Sequence, residues 1–430
     1  MMKFTAAGDA IIQRRIQEGF AGIAEIAPFL AEGDARFFNL ETTLNREGEC
    51  YGSQFSGGTY IRTNPEVLID LKRLGFNMTS FNNNHVLDFG YPGMLKTLEN
   101  VEASGLVHAG VGRNLAAASA PRYLDTKNGR VALIAVNTSF HATAMAGTQN
   151  DRLPGRPGIN GIRVTNEFTV TAEELAFIRS LAERTGVNVS KEITRREGYY
   201  PPLADGVAEF GELTFHEGKT TSRRLVLNEK DMQRLGRSIY EASLQADYVM
   251  VSVHSHQIDG KTKEDVPRFL RELAHRCIDM GADAVVGHGP HLLRPIEIYN
   301  DRPIFYSLGD FILQLYSIEF APADFFEKHG VDPNETVHTL LKTRSQDFTV
   351  GLMEDVKMLE TVVPLWETKD KKITSLRLLP CELSRGGLRG DEGLPRKATR
   401  FDFIERLAEI SAPSGVRMQV EKDGTVTCKW

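Results

Sequence analysis

The chain has 430 residues, 41% of them hydrophobic, so it is long enough for one large domain or two smaller ones and apolar enough to bury a core. Its formal net charge of −6 argues against nucleic acid as the main partner, because proteins that bind phosphate backbones usually carry a basic excess. Four scattered cysteines without a C-x-x-C pair argue against a structural zinc knuckle and favour a reducing, cytosolic setting.

The first 140 residues alternate short apolar runs with helical segments, which predicts parallel strands covered by helices. The predicted strands are residues 3–7, 35–38, 76–81 and 131–136, and the predicted helices are residues 64–75 and 93–103. Asn64 is a good N-cap, Pro65 suits a first helical turn and Gly75 suits the position after a helix.

The segment 141–230 breaks this alternation with several Pro and Gly residues and holds one predicted helix, 172–183. Loops of this length are more often functional covers than idle linkers, so we interpret it as an insertion or lid over a core formed by 1–140 and 231–312.

The alternation resumes with predicted helices 229–245 and 266–280, strands 247–253 and 283–286, and a hairpin of 294–299 with 303–308. Residues 313–348 are expected to form a second, mostly helical insertion. Strands 361–364 and 373–379 and a helix at 400–410 are expected to complete the core in the tail 349–430.

No window approaches the 18 apolar residues of a membrane span, and the N-terminus lacks the long apolar region of a signal peptide. We therefore expect a soluble, cytoplasmic protein that is not associated with a membrane.

Polar side chains of the types that bind metal ions follow five of the predicted strands. In open α/β sheets, ligands bind beyond the carboxyl ends of the strands, so these residues are expected to converge. The candidate metal ligands are Asp9, Glu41, Asn84, His254, His288 and His291. A mixed nitrogen and oxygen set without thiolate favours Zn, Mn or Fe.

The number of candidates exceeds the three or four ligands of one ion, so we expect two divalent ions bridged by a carboxylate and activating water for hydrolysis. His85 is the candidate general acid, and Asp88 is expected to orient its ring. Asn39, Asn83 and His256 are candidate substrate-binding residues, and His256 is equally suited to be a further ligand.

Each of these residues also has a structural explanation when taken alone. Asp9, Asn83 and Asn84 are good turn residues, Glu41 suits a surface charge, and His254 suits a satisfied core position. A structural role is the least convincing explanation for His288 and His291, which Gly and Pro hold in a loop after a strand. The other histidines, expected to be structural or on the surface, are His108, His141, His216, His275, His329 and His338.

These motifs, in this order, resemble the CapA family of capsule or poly-γ-glutamate synthesis proteins, within the calcineurin-like metallophosphoesterase superfamily. The matching segments are Gly8-Asp9, Asn39-Leu40-Glu41, Asn83-Asn84-His85 with Asp88 and Gly90, His254, Gly287-His288-Gly289-Pro290-His291, and Pro303 to Gly309. The likeness covers roughly residues 3–137 and 245–312. It implies a four-layer α/β/β/α sandwich with insertions, and a two-metal site.

This chain departs from the family pattern at three places. Asp9 is followed by Ala10-Ile11 and not by the D-x-H of the superfamily, which bears on one of the two metal sites. His254-Ser255-His256 stands where the family commonly has His-Trp-Gly, and Asp310 where it commonly has Asn. The last two changes bear on substrate choice.

Two functions are consistent with this sequence. The first is a metal-dependent hydrolase that acts on a phosphoester or on an amide such as a γ-glutamyl bond, in a small or peptide-like anionic substrate. The second is a non-catalytic or accessory protein of poly-γ-glutamate or capsule polymer synthesis that binds an anionic polymer. The fold alone does not decide between them, and the sequence leaves the oligomeric state open.

Overall fold

A computed structural model describes residues 1–386 and 388–430, which form a mixed α/β protein with several sheets. The strands are β1 (Met2–Ile11), β2 (Ala35–Leu40), β3 (Thr43–Leu44), β4 (Arg62–Thr63), β5 (Met78–Ser80), β6 (Val107–Ala109), β7 (Val111–Gly112), β8 (Arg122–Thr126), β9 (Gly129–Asn137), β10 (Gly158–Ile159), β11 (Val164–Val170), β12 (Val207–Phe210), β13 (Leu213–Glu217), β14 (Ser222–Leu227), β15 (Tyr248–His254), β16 (Ala284–His288), β17 (Ile296–Tyr299), β18 (Arg302–Phe305), β19 (Asp310–Leu313), β20 (Glu360–Lys369), β21 (Lys372–Leu383), β22 (Pro395–Lys397), β23 (Arg417–Val420) and β24 (Val426–Lys429).

The helices are α1 (Ala21–Leu30), α2 (Val67–Arg73), α3 (Gly90–Ser104), α4 (Leu115–Ser119), α5 (Ala172–Thr185), α6 (Val189–Arg196), α7 (Glu229–Gln245), α8 (Arg268–Asp279), α9 (Ala323–Lys328), α10 (Val337–Arg344) and α11 (Asp402–Ser411). Short 3-10 helices include Asn84–Leu87, which carries two of the predicted site residues.

The described chain divides into two compact units. The first consists of Met1–Ile162 with Lys230–Trp430, and the second is Arg163–Glu229. The second unit lies inside the segment 141–230 that the sequence sets apart as an insertion, whereas residues 141–162 belong to the first unit.

The larger sheet of the first unit is built around β1. Strand β1 pairs in parallel with β2 on one side, and β2, β5 and β6 continue in parallel. On its other side β1 pairs first with β20, antiparallel, and then with β19, parallel, through the partners Asp9 and Asp310. The long hairpin of β20 and β21 extends the sheet towards β24 and β23.

The second sheet of this unit has the order β17-β18-β16-β15-β9-β8. Strands β9, β15, β16 and β18 are parallel, and the antiparallel strands β8 and β17 form its two edges. Strand β15 is buried along its whole length, as expected for a central parallel strand.

The two sheets share one apolar core. Alternate residues of β1, Met2, Phe4 and Ala6, belong to the same buried cluster as Leu133 of β9 and Val286 of β16. Because side chains alternate between the two faces of a strand, the intervening residues of β1 face the other way. Ala7 accordingly packs in a different cluster with apolar residues of α1, α2 and α3, and Ala10 joins this cluster because the register of β1 shifts between Ala6 and Asp9.

The second unit has a sheet of order β12-β13-β11-β14, together with α5 and α6. Its apolar cluster is small and contains Val170, Leu175 and Ala208. Helix α5 begins with a capping box formed by Thr171 and Glu174, which satisfies backbone donors at its first turn.

Most of the predicted elements are confirmed, with bounds shifted by a few residues. Helix α7 has the predicted bounds, and β17 with β18 forms the predicted hairpin. The prediction that 313–348 is mostly helical is wrong, because α9 and α10 have only 6 and 8 residues there. Among the described residues, no helix is long and apolar enough to cross a membrane.

Candidate metal centre

The polar residues predicted at the strand ends come together where the two sheets meet at their carboxyl ends. Asp9 lies near the carboxyl end of β1, Glu41 follows β2 directly, and Asn84 begins the short 3-10 helix after β5. His254 and His288 are the last residues of the neighbouring strands β15 and β16 and are partners in register. Three overlapping groups have side-chain donor atoms within 4.8 Å of one another: Asp9 with His254 and His288, Glu41 with His254 and His256, and Asp9 with Glu41 and His291.

Two glycines permit this close approach of backbones. A Cβ at Gly8 would lie 1.8 Å from the carbonyl oxygen of Gly309, so only glycine lets β1 and the start of β19 run together. Gly289 has a φ of +117°, and its Cβ would lie 3.0 Å from the backbone of Ser255. The next histidine, His291, itself adopts a left-handed φ of 61°, which is uncommon for a residue with a Cβ and directs its ring into the cluster.

The first group is held by neighbours outside it. The Nδ1 atoms of His254 and His288 lie 2.8 Å apart, and Asp9 Oδ1 lies 3.5 Å from His288 Nδ1. Asn39 Nδ2 donates to Asp9 Oδ1 at 2.7 Å, and the backbone N–H of Gly289 donates to Asp9 Oδ2 at 2.8 Å. The carboxylate of Asp9 is therefore fixed before any cation binds.

The second group surrounds the side-chain oxygen of Asn84. This Oδ1 lies 2.8 Å from His254 Nε2 and 3.0 Å from His256 Nε2. Asn84 Nδ2 donates to the carbonyl oxygen of Gly57 at 2.9 Å, which leaves the oxygen facing the imidazoles. The arrangement presents oxygen and two ring nitrogens to one point, as metal ligands do.

The third group joins Asp9 and Glu41 to His291. His291 Nε2 lies 3.8 Å from Glu41 Oε1, and its Nδ1 lies 2.9 Å from Asp310 Oδ1. Burial raises the pKa of Asp310 to about 6, although the neighbouring His291 opposes the rise. Burial works against a charged His291, but Asp310 outweighs it and raises the pKa of that imidazole.

Glu41 is the most unusual residue of the cluster. Its side chain is completely buried, and neither carboxylate oxygen has a hydrogen-bond partner. Burial, with added repulsion from Asp9, Asp310 and Asp88, raises the pKa of this carboxyl well above its usual 4.5. A buried carboxylate without a donor is unfavourable unless a cation neutralises it.

The other imidazoles are kept neutral. Burial, followed by repulsion from neighbouring imidazoles, holds the pKa values of His254 and His256 well below 6.5. Burial lowers the pKa of His288 to about 4, and Asp9 offsets only part of this effect. Neutral imidazole is the form that binds metals, so this part of the cluster is ready to act as a ligand set.

His85 and Asp88 form a separate pair at the edge of the cluster. His85 Nδ1 lies 2.7 Å from Asp88 Oδ2, and His85 Nε2 lies 3.8 Å from Glu41 Oε1. The two oxygens of Asp88 also accept the backbone N–H groups of Gly57 and Ile61, each at 2.8 Å. These bonds fix Asp88 as an acceptor, so His85 carries its proton on Nδ1 and turns Nε2 towards the cluster.

The three predicted substrate-binding residues have different surroundings. Asn39 is used to hold Asp9. Asn83 donates to the carbonyl oxygen of Leu40 and accepts from the backbone N–H of His85, so it ties two strand ends together. His256 is partly exposed, which makes it both a member of the second group and part of the surface open to a substrate.

Sequence reasoning missed two residues that contact the cluster. Asp310 was noted only as a departure from the family pattern, yet it bonds His291. The repeated dipeptide, Gly8-Asp9 and Gly309-Asp310, was a signal for it, because both aspartates occupy the same register position in adjacent strands. Ser252, whose Oγ lies 2.7 Å from His288 Nε2, gave no signal beyond its lying two residues before His254.

The donor set fits divalent metal ions. Carboxylates, imidazoles and one amide oxygen converge, and the buried oxygens of Glu41 have no hydrogen-bond donor to satisfy them. The set contains no thiolate and so differs from the cysteine-rich sets of most structural zinc sites.

A cavity of about 360 Å³ opens beside this cluster, with Asn84 and His256 in its lining. The remaining lining comes from residues 55–57, from Leu87 and from the loop after β9, 139–144. Two residues of the second group and its surroundings, His256 and Asn84, are therefore accessible from this cavity.

The comparisons with known proteins agree with the order of these motifs. Residues 3–315 match the profile of the family described as bacterial capsule synthesis protein PGA_cap. An uncharacterized protein of Sinorhizobium fredii is 33% identical over 97% of this chain and 90% of its own length.

Two further relatives carry functional names. A probable polyglutamine synthesis accessory protein of Mycobacterium tuberculosis is 29% identical over 65% of this chain and 55% of its own length. The PGA biosynthesis protein CapA of Bacillus subtilis is 47% identical over 74 residues, 17% of this chain and 19% of its own length. The chain belongs to the PGA_cap, or CapA, family of bacterial capsule synthesis proteins.

Proposed function

We propose that this chain, as a member of the PGA_cap family, is a metal-dependent hydrolase that cleaves a phosphoester or an amide bond such as a γ-glutamyl linkage. The observation that carries the proposal is Glu41, a fully buried carboxyl group whose oxygens have no hydrogen-bond donor and which lies among Asp9 and several imidazoles. Such a charge costs several kcal/mol when unpaired, and a divalent ion at this position would compensate it.

The residues would share the work as follows. Asp9, His254 and His288 would hold one ion, and Glu41, Asn84 and His256 a second, with His291 near both carboxylates. Bound divalent ions would polarise the scissile group and lower the pKa of water. Mn, Fe and Zn all suit these donors.

His85 would move the proton of the reaction. Its Nδ1 proton is donated to Asp88, so Nε2 is the atom that can give a proton to a leaving group or take one from water. Asp88 stabilises the charged imidazole that forms during the transfer, and its own two backbone donors keep it in place. Asn39 and Asp310 would keep Asp9 and His291 oriented.

We further propose that the two sheets and their helices form the four-layer α/β/β/α sandwich of the metallophosphoesterase type. The core shared by the two sheets and the packing of α1, α2 and α3 on the outer face of the larger sheet support this arrangement. The contact of α8 with β16 supports a helical layer on the second sheet.

The substrate that we propose is a small or peptide-like anionic molecule. The fold favours a phosphoester, whereas the names of relatives, which mention PGA and polyglutamine synthesis, favour an amide.

The second candidate function is an accessory protein that binds an anionic polymer without cleaving it. It is favoured by the name of the Mycobacterium tuberculosis relative, an accessory protein. A binding protein does not need stoichiometric metal, so metal content separates the two functions.

The test is metal analysis by mass spectrometry on protein purified without chelator or nickel resin, together with hydrolysis assays. The hydrolase should hold about two equivalents of Mn, Fe or Zn, and His288→Ala with His291→Ala should remove metal and activity together. The control His216→Ala alters an exposed histidine of the second unit and should change neither. A chain that never took up metal and cleaved no substrate would favour the accessory function, whereas activity that survived metal loss would refute the metal-dependent mechanism.

A further inference from the structure

The cavity beside the metal centre has a composition that restricts what enters it. Its lining consists of Phe55, Ser56, Gly57, Asn84, Leu87, Ser139, Phe140, His141, Thr143, Ala144 and His256. Within the described chain, this lining contains no Lys, Arg, Asp or Glu. Its volume of about 360 Å³ is at the small end for ligand sites, so it suits one compact group and not a whole polymer segment.

The absence of a cation from this lining bears on charge. Sites for phosphate dianions place arginine or lysine against the oxygens, because an uncompensated anion loses its hydration without replacement. The nearby buried guanidinium of Arg294 is directed to the carbonyl oxygens of Gln257 and Lys263 and does not line the cavity. An anionic group in this cavity would therefore find no lysine or arginine side chain in the lining.

The hydroxyl groups of the lining are already engaged. Ser139 Oγ donates to Gln257 Oε1 and accepts from the backbone N–H of His256, both at 2.7 Å. Thr143 Oγ1 lies 2.8 Å from His141 Nδ1. The remaining contact surface is mainly aromatic.

The aromatic wall is a stacked pair from two separate loops. The rings of Phe55 and His141 have centroids 4.0 Å apart and planes inclined by 15°. Phe55 is 41% exposed, so one side of this stack is accessible to a group in the cavity. A flat ring or a planar amide can extend such a stack.

We infer that the cavity is a binding subsite for an uncharged, flat group that lies next to the scissile bond. The position of the subsite next to a scissile bond rests on the proposed function. The binding of a flat, uncharged group does not. The inference favours substrates in which an uncharged planar group, such as an aryl ester or an amide, adjoins the scissile bond.

The first test measures binding without turnover. Saturation-transfer NMR on the full chain uses benzamide, an uncharged planar amide, with wild type, Phe55→Ala, His141→Ala and the control Tyr240→Ala. Tyr240 is an exposed aromatic of α7 outside the cavity lining. Wild type and Tyr240→Ala should bind benzamide, and the two wall variants should bind it roughly five- to tenfold more weakly. Equal binding by all four proteins would overturn the subsite.

The second test uses the Mn-loaded chain and three chromogenic probes, bis(p-nitrophenyl) phosphate, p-nitrophenyl phosphate and γ-glutamyl-p-nitroanilide. Each probe carries an uncharged, planar nitrophenyl group at the scissile bond, so Phe55→Ala should raise KM for every probe that wild type cleaves, with unchanged metal content.

The outcomes separate this inference from the proposed function. Hydrolysis with the same KM in wild type and Phe55→Ala would overturn the subsite and leave the hydrolase in place. Benzamide binding that depends on Phe55, without hydrolysis of any probe, would support the subsite and count against the hydrolase.

Discussion

Replacing Glu41 by Gln should stabilise the metal-free protein while it removes the response to metal. The substitution keeps the shape of the side chain and deletes a buried charge that has no hydrogen-bond donor. Most buried polar substitutions destabilise, so an increase in stability would be a distinctive result. The carboxylates of Asp9, Asp310 and Asp88, which repel Glu41, would gain from the same change.

The magnitude follows from the cost of an unpaired buried charge. Because the raised pKa lets Glu41 escape part of that cost by protonation, we expect a gain of about 2 kcal/mol for the metal-free variant. A chain of 430 residues has an unfolding entropy of about 0.9 kcal/mol per kelvin, so Tm should rise by about 2 °C. Free metal at about 100 times its Kd should stabilise wild type by about 2.7 kcal/mol, or about 3 °C, and the variant by much less.

The assay is thermal unfolding of chelator-treated wild type and Glu41→Gln, each with and without added Mn²⁺, with metal content measured on the same samples. Glu241→Gln, an exposed glutamate of α7, is the matched control and should behave as wild type. The reasoning would be refuted by a metal-free variant that melts below wild type and still gains stability with Mn²⁺.

Three further predictions follow from neighbouring contacts. Asp88→Asn should lower kcat about 10- to 100-fold with metal content retained, because His85 loses the carboxylate at its Nδ1. A parallel loss of metal would contradict a role of this pair in proton transfer. Asn39→Ala should weaken metal binding about 10- to 100-fold, because Asp9 loses a 2.7 Å hydrogen bond; calorimetric titration measures this affinity. An unchanged affinity would show that Asp9 does not need this hydrogen bond. Burial lowers the pKa of His108 to about 4, below its ordinary 6.5, so the folded protein favours the neutral imidazole and loses stability as pH falls from 6.5 towards 4. Between pH 7 and pH 5 this loss is about 2 kcal/mol, and the Tm of wild type should fall by about 2 °C more than that of His108→Leu; equal falls would show that His108 is not the cause.

The convergence of the predicted ligands could be predicted from the sequence because it depends on short patterns, each within a single segment of the chain. Each buried strand is followed at once by its polar residue, and parallel strands place those residues at one edge. His254 and His288 needed only this rule, since they end adjacent strands.

Contacts that depend on pairing between distant segments were not accessible in this way. Asp310 reaches His291 because β19 pairs with β1, and the repeated Gly-Asp dipeptide becomes meaningful only once that register is known. The wall of Phe55 and His141 likewise joins loops from two parts of the chain. In the second unit, the strands β11 to β14 were missed because they are short and mostly half-exposed, without the long apolar runs of β9 or β15.

The pairing of β1 has a consequence for the order in which the chain can be completed during synthesis. Met2 and Thr368, which are 366 residues apart, are register partners, and Asp9 pairs with Asp310, which is also made much later. While the ribosome makes the intervening residues, one edge of this early apolar strand has no partner and is open to association with other chains. The candidate metal ligands come from residues 9 to 291, so the proposed sites can be complete only after most of the chain has been made. Bound metal would then mark chains that extend past His291, and shorter products would be left without a full ligand set.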